Sequence, residues 1–285
     1  MVAPDDGMST TAPTSPAAWE PLTPRGVAAF ARAPWRRLLL AQLVVALLAA
    51  AVTGWFLEEE WFPVVRAAIR QMPDEGEIRT QRLDWRGSAT VKLAGNHFLG
   101  LGVDLDHSGQ LVRESQVQLE FGRRDLQIIV APLPGRVVVD YPAGWRIAFN
   151  RPELDSRWGA WEPELLAGVT AAMFAGLLLS WAVLATIYCV PVRLITLYEN
   201  RDLNWGQSWR LSGAALMPGA LFLIFGMLVY GVSSMALVQL GIVWALHLVI
   251  GWIYLFVSPF FLPRHPAAEA TRGNPFSGER KKGKK

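Results

Sequence analysis

The sequence predicts an integral membrane α-helical protein with four spans and one inserted extracytoplasmic β-rich domain of α+β type. Three observations lead there. Leu165 to Val190 runs 26 residues without a charge, longer than the ~20 apolar helical residues a bilayer core needs. One comparable run precedes it and two follow. Between the first and second runs lies a polar, turn-rich stretch of the usual size for a domain. Composition agrees: mean hydropathy is +0.26, and 18% of residues are charged against ~25% in soluble chains. The 13 Trp suit a membrane interface, where the ring is half wetted.

Charge sorts along the chain. Residues 58–164 carry 13 basic and 17 acidic side chains, and the last 28 residues carry seven basic against two acidic. The basic excess beside the apolar runs marks cytoplasmic segments, so the sequence pI near 9.2 does not imply nucleic acid. Both termini are expected in the cytoplasm and the acidic domain outside, with the bacterial inner membrane as the location. The single cysteine, Cys189, excludes an internal disulfide framework.

In order, residues 1–37 read as a disordered, then basic, cytoplasmic segment. Its part Gly26 to Arg37 is suited to the inner membrane surface. Residues 38–57 form the first span, oriented by Arg36 and Arg37 before it and Glu58 to Glu60 after it. The long leading tail favours a retained anchor over a cleaved signal. Residues 58–164 form the domain. It opens with a helix over Trp61 to Met72, with Val64, Val65, Ala68 and Ile69 at helical spacing. Strands are expected over Ile78–Trp85, Ala89–Leu93, Phe98–Leu105, Gln116–Phe121, Leu126–Val130 and Val137–Tyr141. Continuity of the apolar residues predicts that the last two are the more buried. In the Gln116 strand, Val117, Leu119 and Phe121 face one way and Gln116, Gln118 and Glu120 the other. Residues 165–190 form the second span, ending at Pro191. Residues 191–210 form an interfacial loop, part of it helical, with Trp205 and Trp209 as anchors. Residues 211–231, kinked near Pro218, and 235–257 pair as an antiparallel hairpin. Residues 258–285 are a basic tail whose Lys cluster suits anionic lipid.

Candidate chemistry is sparse. Asp104-Leu105-Asp106-His107-Ser108-Gly109 resembles the start of a calcium loop, but its twelfth position is Ser115 where a bidentate acid is required. A polar turn after a strand accounts for it better. His97, Asp104, Asp106 and His107 are chemically suitable metal ligands without ligand spacing. His247 lies midway along the fourth span, where an ionisable residue suggests function, with Gln42, Ser180 or Thr186 as alternative hydrogen-bond partners. Arg201, Asp202, Trp209 and Arg210 mark the cytoplasmic loop. No hydrolase, zinc-protease, phosphate-loop or dinucleotide motif occurs, and no catalytic residue or cofactor is expected.

The stretches MPDEGEIRTQRLDW, FLGLGVDLDHSGQL and NWGQSWRLSGAALMP, in this order of spans and domain, resemble an uncharacterised bacterial four-span membrane family distantly similar to Yip1-type membrane proteins. The resemblance implies the layout and no functional residues. The leading expectation is a non-enzymatic protein whose outer domain binds or senses a ligand or an envelope partner. The alternatives are an accessory subunit of a transporter or permease, with His247, Pro218 and Gln42 lining helix contacts, and a metal-dependent enzyme in the outer domain.

Overall fold

A computed structural model describes residues 20, 22–111, 114–131, 133–201, 203–233 and 235–264. The expected disorder of residues 1–19 and of the tail from 265, and the candidate Asp202, lie outside these. The chain divides into two compact units. One comprises Met1–Leu43, Leu179–Ala220 and Leu248–Lys285, the other Val44–Leu178 and Leu221–His247. Among the described residues four helical stretches are long and apolar enough to cross a membrane: Trp35–Arg70, Arg151–Tyr198, Trp205–Val232 and Leu237–Phe261.

The first unit is built around a short helix, α1 (Pro24–Phe30). Thr23 caps it by accepting from the Gly26 N–H, and Pro24 fits its first turn, where no N–H is needed. Val27, Phe30 and Ala31 are buried together with Leu38, Val192, Leu203, Leu211, Ala214, Leu255 and Leu262. The segment expected at the inner membrane surface is thus a helix packed into this core. Its apolar side chains are covered by α5 (Trp205–Ala215) and a 3-10 turn (Ser258–Phe261). A capping box of Asn204 and Gln207 starts α5. Helix α6 (Met217–Val232) follows after a break at Leu216, beside the anticipated Pro218. The expected loop 191–210 is corrected. Helix α4 (Arg151–Tyr198) runs unbroken past Pro191 for 48 residues, roughly 70 Å at helical rise. A proline removes one ladder bond, and the neighbouring turns keep theirs.

The second unit carries two sheets. Helix α2 (Trp35–Phe56) passes through a π-helical turn (Leu57–Trp61) into α3 (Phe62–Arg70), so the expected helix over Trp61–Met72 is a continuation and not a separate element. The expected strand Ile78–Trp85 is a hairpin of β1 (Gly76–Arg79) and β2 (Arg82–Trp85). Thr80 and Gln81 both have positive φ, 51° and 59°, the pattern of a primed two-residue turn. The strand β8 (Arg146–Ala148), missed by the pattern reading, pairs with β1. The five-stranded sheet has the order β3 (Thr90–Gly95), β4 (Leu99–Asp104), β5 (Val117–Phe121), β6 (Asp125–Val130), β7 (Arg136–Asp140). All pairs are antiparallel except β4–β5, which is parallel.

One face of this sheet packs on α3. Leu93, Leu99, Leu101 and Val103 form the core with Val64, Ala68, Ile78, Leu83 and Phe149. The alternation read in β5 holds, with Val117, Leu119 and Phe121 against this core. On the other face Gln118, Glu120 and Gln127 are buried as well. Gly100 and Gly102 permit this. A Cβ on Gly102 would stand 3.1 Å from Leu111 and one on Gly100 2.9 Å from Ser115, so the β4–β5 connection lies directly on the sheet. The expected burial of Val137–Tyr141 is overturned over β7. All five residues of β7 are exposed, while Tyr141 just beyond is buried. Strand β7 ends the sheet, with β6 as its hydrogen-bonded neighbour.

A candidate coupling site around Gln116

Gln116 sits just before β5, fixed by its backbone. Its N–H donates to the His97 carbonyl, and its carbonyl accepts from the Ala131 N–H, at 2.9 and 2.8 Å. That places its side chain, buried at the rim of the sheet, against the end of α6. The amide nitrogen donates to the Met235 carbonyl at 2.8 Å and to His97 Nε2, and the amide oxygen accepts from the Tyr230 hydroxyl at 2.9 Å. Both donors and the acceptor are used, so the amide has one satisfied orientation.

A second amide works beside it. The Asn96 amide nitrogen donates to the Glu60 carbonyl at 2.7 Å and to the Glu60 carboxylate at 3.0 Å. Its oxygen accepts from the Phe98 and Leu99 N–H groups, each at 2.9 Å. Glu60 lies in the π-helical turn, a helix irregularity common at functional positions. Three aromatic rings fill the space under these bonds. Phe56, Phe98 and Tyr230 have centroids 5.1, 5.5 and 4.9 Å apart, within the range of favourable ring contacts. The bond from the Tyr230 hydroxyl to Gln116 is the buried one among them, and desolvation makes it costly to break. The arrangement offers no nucleophile paired with a base. It can fasten the first residues of β5 to the turn after α6.

The four residues expected to ligate metal each have partners of their own. His97 joins Gln116. Asp106 accepts from Arg123 at 2.9 Å, and His107 meets Asp125 at 2.7 Å. The buried Asp104 carboxylate accepts from the Ser108 N–H, the Ser108 hydroxyl, the Gly109 N–H and the Thr90 hydroxyl at 3.0–3.4 Å. Burial pushes its pKa up, but these bonds outweigh burial and hold it below the ordinary 3.8. Its lone pairs are occupied by donors, which is the environment of a turn cap. Among the described residues no group of three or more His, Cys, Asp or Glu is close enough to hold a metal ion.

Of the remaining candidates, Arg201, Trp209 and Arg210 are structural fasteners within the first unit, and His247 belongs to the second. Arg210 donates twice to the Ala31 carbonyl, at 3.2 and 2.7 Å, and lies over the Trp35 ring. Trp209 stacks on Trp35 at 4.9 Å and donates to the Thr186 hydroxyl. Arg201 donates to the Leu262 carbonyl. Gln42 is buried beside Gly213, and its amide nitrogen lacks a hydrogen-bond partner among the described residues. His247 bonds the Trp244 carbonyl of its own helix, α7 (Leu237–Val257). The Gln116 and Asn96 network escaped the sequence reading because neither residue belongs to a chemical motif. The available signal was Gln116 at the edge of an alternating strand.

No protein-family model, curated protein or solved structure matches this chain.

Proposed function

We propose that the chain is a multi-pass protein of the bacterial inner membrane, with both termini cytoplasmic. In this reading its β-rich region binds or senses a ligand or an envelope partner outside. The apolar side chains left exposed on the helices support the membrane placement, among them Leu179, Ile187, Leu194, Phe225, Ile242 and Trp244. Contiguous apolar surface of this kind requires a cover, and lipid supplies it along helices of this length. The observation that carries the sensing role is the Gln116 amide. It joins the start of β5 to the helical hairpin at Tyr230 and Met235, so a change in the sheet acts on α6 and α7 through hydrogen bonds and not through a flexible linker.

Two measurements test this. With Cys189 replaced by Ala, a cysteine placed at the exposed Arg86 should react with a membrane-impermeant maleimide in intact spheroplasts. Labelling only after lysis would overturn the topology. Crosslinking in living cells, then purification of the full chain in mild detergent, should recover an envelope partner in near-equal amount or a ligand bound to the β-rich region. Recovery of the bare protein, with no ligand shifting its thermal unfolding, would sink the sensing role.

A transport accessory role is the second reading, and Gln42 favours it. An unpartnered amide nitrogen buried in an apolar helix is costly and is retained where something polar is bound in turn. Under this reading Gln42→Leu or His247→Ala alters uptake or its pH dependence. Uptake unchanged by either at every pH would remove it.

A further inference from the structure

We propose that β7 is a homodimer interface, pairing antiparallel with β7 of a second copy about a two-fold axis at Val138. Pairing then sets Arg136 opposite Asp140 at both ends. The proposal goes beyond the sensing role and does not depend on it.

The argument begins with the strand's sequence, Arg-Val-Val-Val-Asp. Three consecutive β-branched residues form the pattern of a strand covered on both faces. In one copy of the chain they are uncovered: Val137, Val138 and Val139 are 60%, 49% and 46% exposed. Exposed edges of this kind are guarded by charged side chains, an internal proline or a bulge; β7 has no proline and no bulge, and its charges, Arg136 and Asp140, stand only at its two ends. Leu133 and Trp145, which flank the strand in sequence, are exposed at 66% and 65% and extend the apolar surface available to a partner.

The backbone register makes the edge specific. The Tyr141 N–H donates to the Arg124 carbonyl, and β7 continues that register against β6, with Val139 opposite Leu126 and Val137 opposite Ile128. Hydrogen-bonded pairs alternate along an antiparallel ladder, so Val137 and Val139 turn their N–H and C=O groups toward β6. Those of Arg136, Val138 and Asp140 point outward. An antiparallel partner centred on Val138 meets outward groups with outward groups at all three positions. Each such pair exchanges both its N–H···O bonds.

Charge chooses the partner. Read in the opposite direction, Arg-Val-Val-Val-Asp presents Asp to Arg and Arg to Asp, so a second copy of the same strand is its electrostatic complement. Within one chain these charges are poorly placed. Asp140 lies opposite Asp125, a like-charge pair across the ladder. Arg136 donates only to the neutral Gln127 oxygen, at 3.1 Å, and among the described residues neither Arg136 nor Asp140 forms an ion pair. The two-fold pairing gives each an opposite charge. Pro134 and Pro142 bracket the strand and limit the ladder to its five residues. A closed two-fold contact uses the β7 edge of both copies, so it stops at two.

Engineered cysteines in the full-length chain, with Cys189→Ala as background, test both the pairing and its register under mild oxidation in native membranes. Directly opposed residues of a hydrogen-bonded pair lie about 5.5 Å apart between Cα atoms, within disulfide reach. Val138→Cys should therefore give a covalent dimer. Arg136→Cys alone should not, because its two copies are about 14 Å apart along the ladder, while Arg136→Cys co-expressed with Asp140→Cys should crosslink. Arg136→Asp or Asp140→Arg, each alone, should lower the Val138→Cys dimer yield, and the two together should restore it. Val138→Pro removes an outward N–H without touching the β6 ladder, and should convert the detergent-solubilised protein from dimer to monomer with its secondary structure unchanged, read by circular dichroism. Absence of a Val138→Cys dimer, or equal self-crosslinking by Arg136→Cys, overturns the proposal. A different protein crosslinked at Val138 in place of a second copy overturns it too.

Discussion

The two edges of the five-stranded sheet are built differently. Strand β3 has a register shift between Lys92 and Ala94 and presents Lys92, paired with Glu114 at 2.6 Å. Its neighbour Leu93 points the other way and is almost wholly buried against α3 and β4. Strand β7 is regular along its length, and all five of its residues are exposed. A bulge and a lysine stop a second strand from adding to an edge. One edge of this sheet is closed to strand addition and the other open, and the open one has a self-complementary sequence.

The largest effect expected from breaking this contrast is at the anchored edge. Leu93→Ala removes a buried side chain that holds β3 to the core, and should destabilise the β-rich region by ~2–5 kcal/mol, read as a lower urea midpoint by tryptophan fluorescence of the full chain in detergent. A stability within about 0.5 kcal/mol of the parent would mean that β3 is not the fixed edge described.

Asp104 ties the same edge from within the sheet, since Thr90 of β3 is both its register partner and one of its donors. Its pKa is held below 3.8 in the folded chain, so its contribution is fully present above the unfolded value and is lost as pH falls through the folded one. Asp104→Asn should cost ~1–3 kcal/mol at pH 7, because an amide cannot accept at both positions. The gap between parent and variant should narrow below about pH 3.8. A gap independent of pH would show that the carboxylate's charge is not what the turn uses.

Much of this contrast was hidden in the sequence, for identifiable reasons. The alternation in β5 was legible because its apolar side chains pack on a core. The burial of Gln118 and Glu120 was not, because it depends on Gly100 and Gly102 admitting the following connection onto the sheet. The β1–β2 turn was missed because Thr80 and Gln81 adopt positive φ without the Gly or Asn that signals such turns. The apolar run over α4 was plain, whereas its continuation past Pro191 was masked by a residue that usually ends a helix. Arg201, Trp209 and Arg210 were legible as a cluster, but a linear pattern cannot show that their partners are Leu262, Trp35 and Ala31. Val137 to Val139 have the pattern of covered residues, yet one copy of the chain leaves them open.

Removing the guard on β3 gives a subtler test. Lys92→Val deletes the edge charge and its pair with Glu114 while leaving the register shift in place. A surface ion pair of this kind contributes ~0–1 kcal/mol, so folding should change little. Association is the informative readout. If the lysine keeps β3 closed, the variant should form species larger than the dimer in detergent, since both edges of the sheet can then accept a strand. If the bulge alone suffices, the variant should remain the size of the parent.

The smallest effect is expected at the open edge. Val139→Thr keeps the β-branched shape on an exposed strand whose backbone bonds to β6 are untouched, so stability of the separated chain should move by no more than ~0.5 kcal/mol. A buried valine given a hydroxyl without a partner would lose ~1–3 kcal/mol. The two cases are distinguished by measuring unfolding in the Val138→Pro background, where β7 has no partner strand, and again in the parent, where it does. A near-zero cost in the first and a larger cost in the second would place Val139 in a covered position only when two copies meet. Equal small costs in both would mean that β7 stays open to solvent.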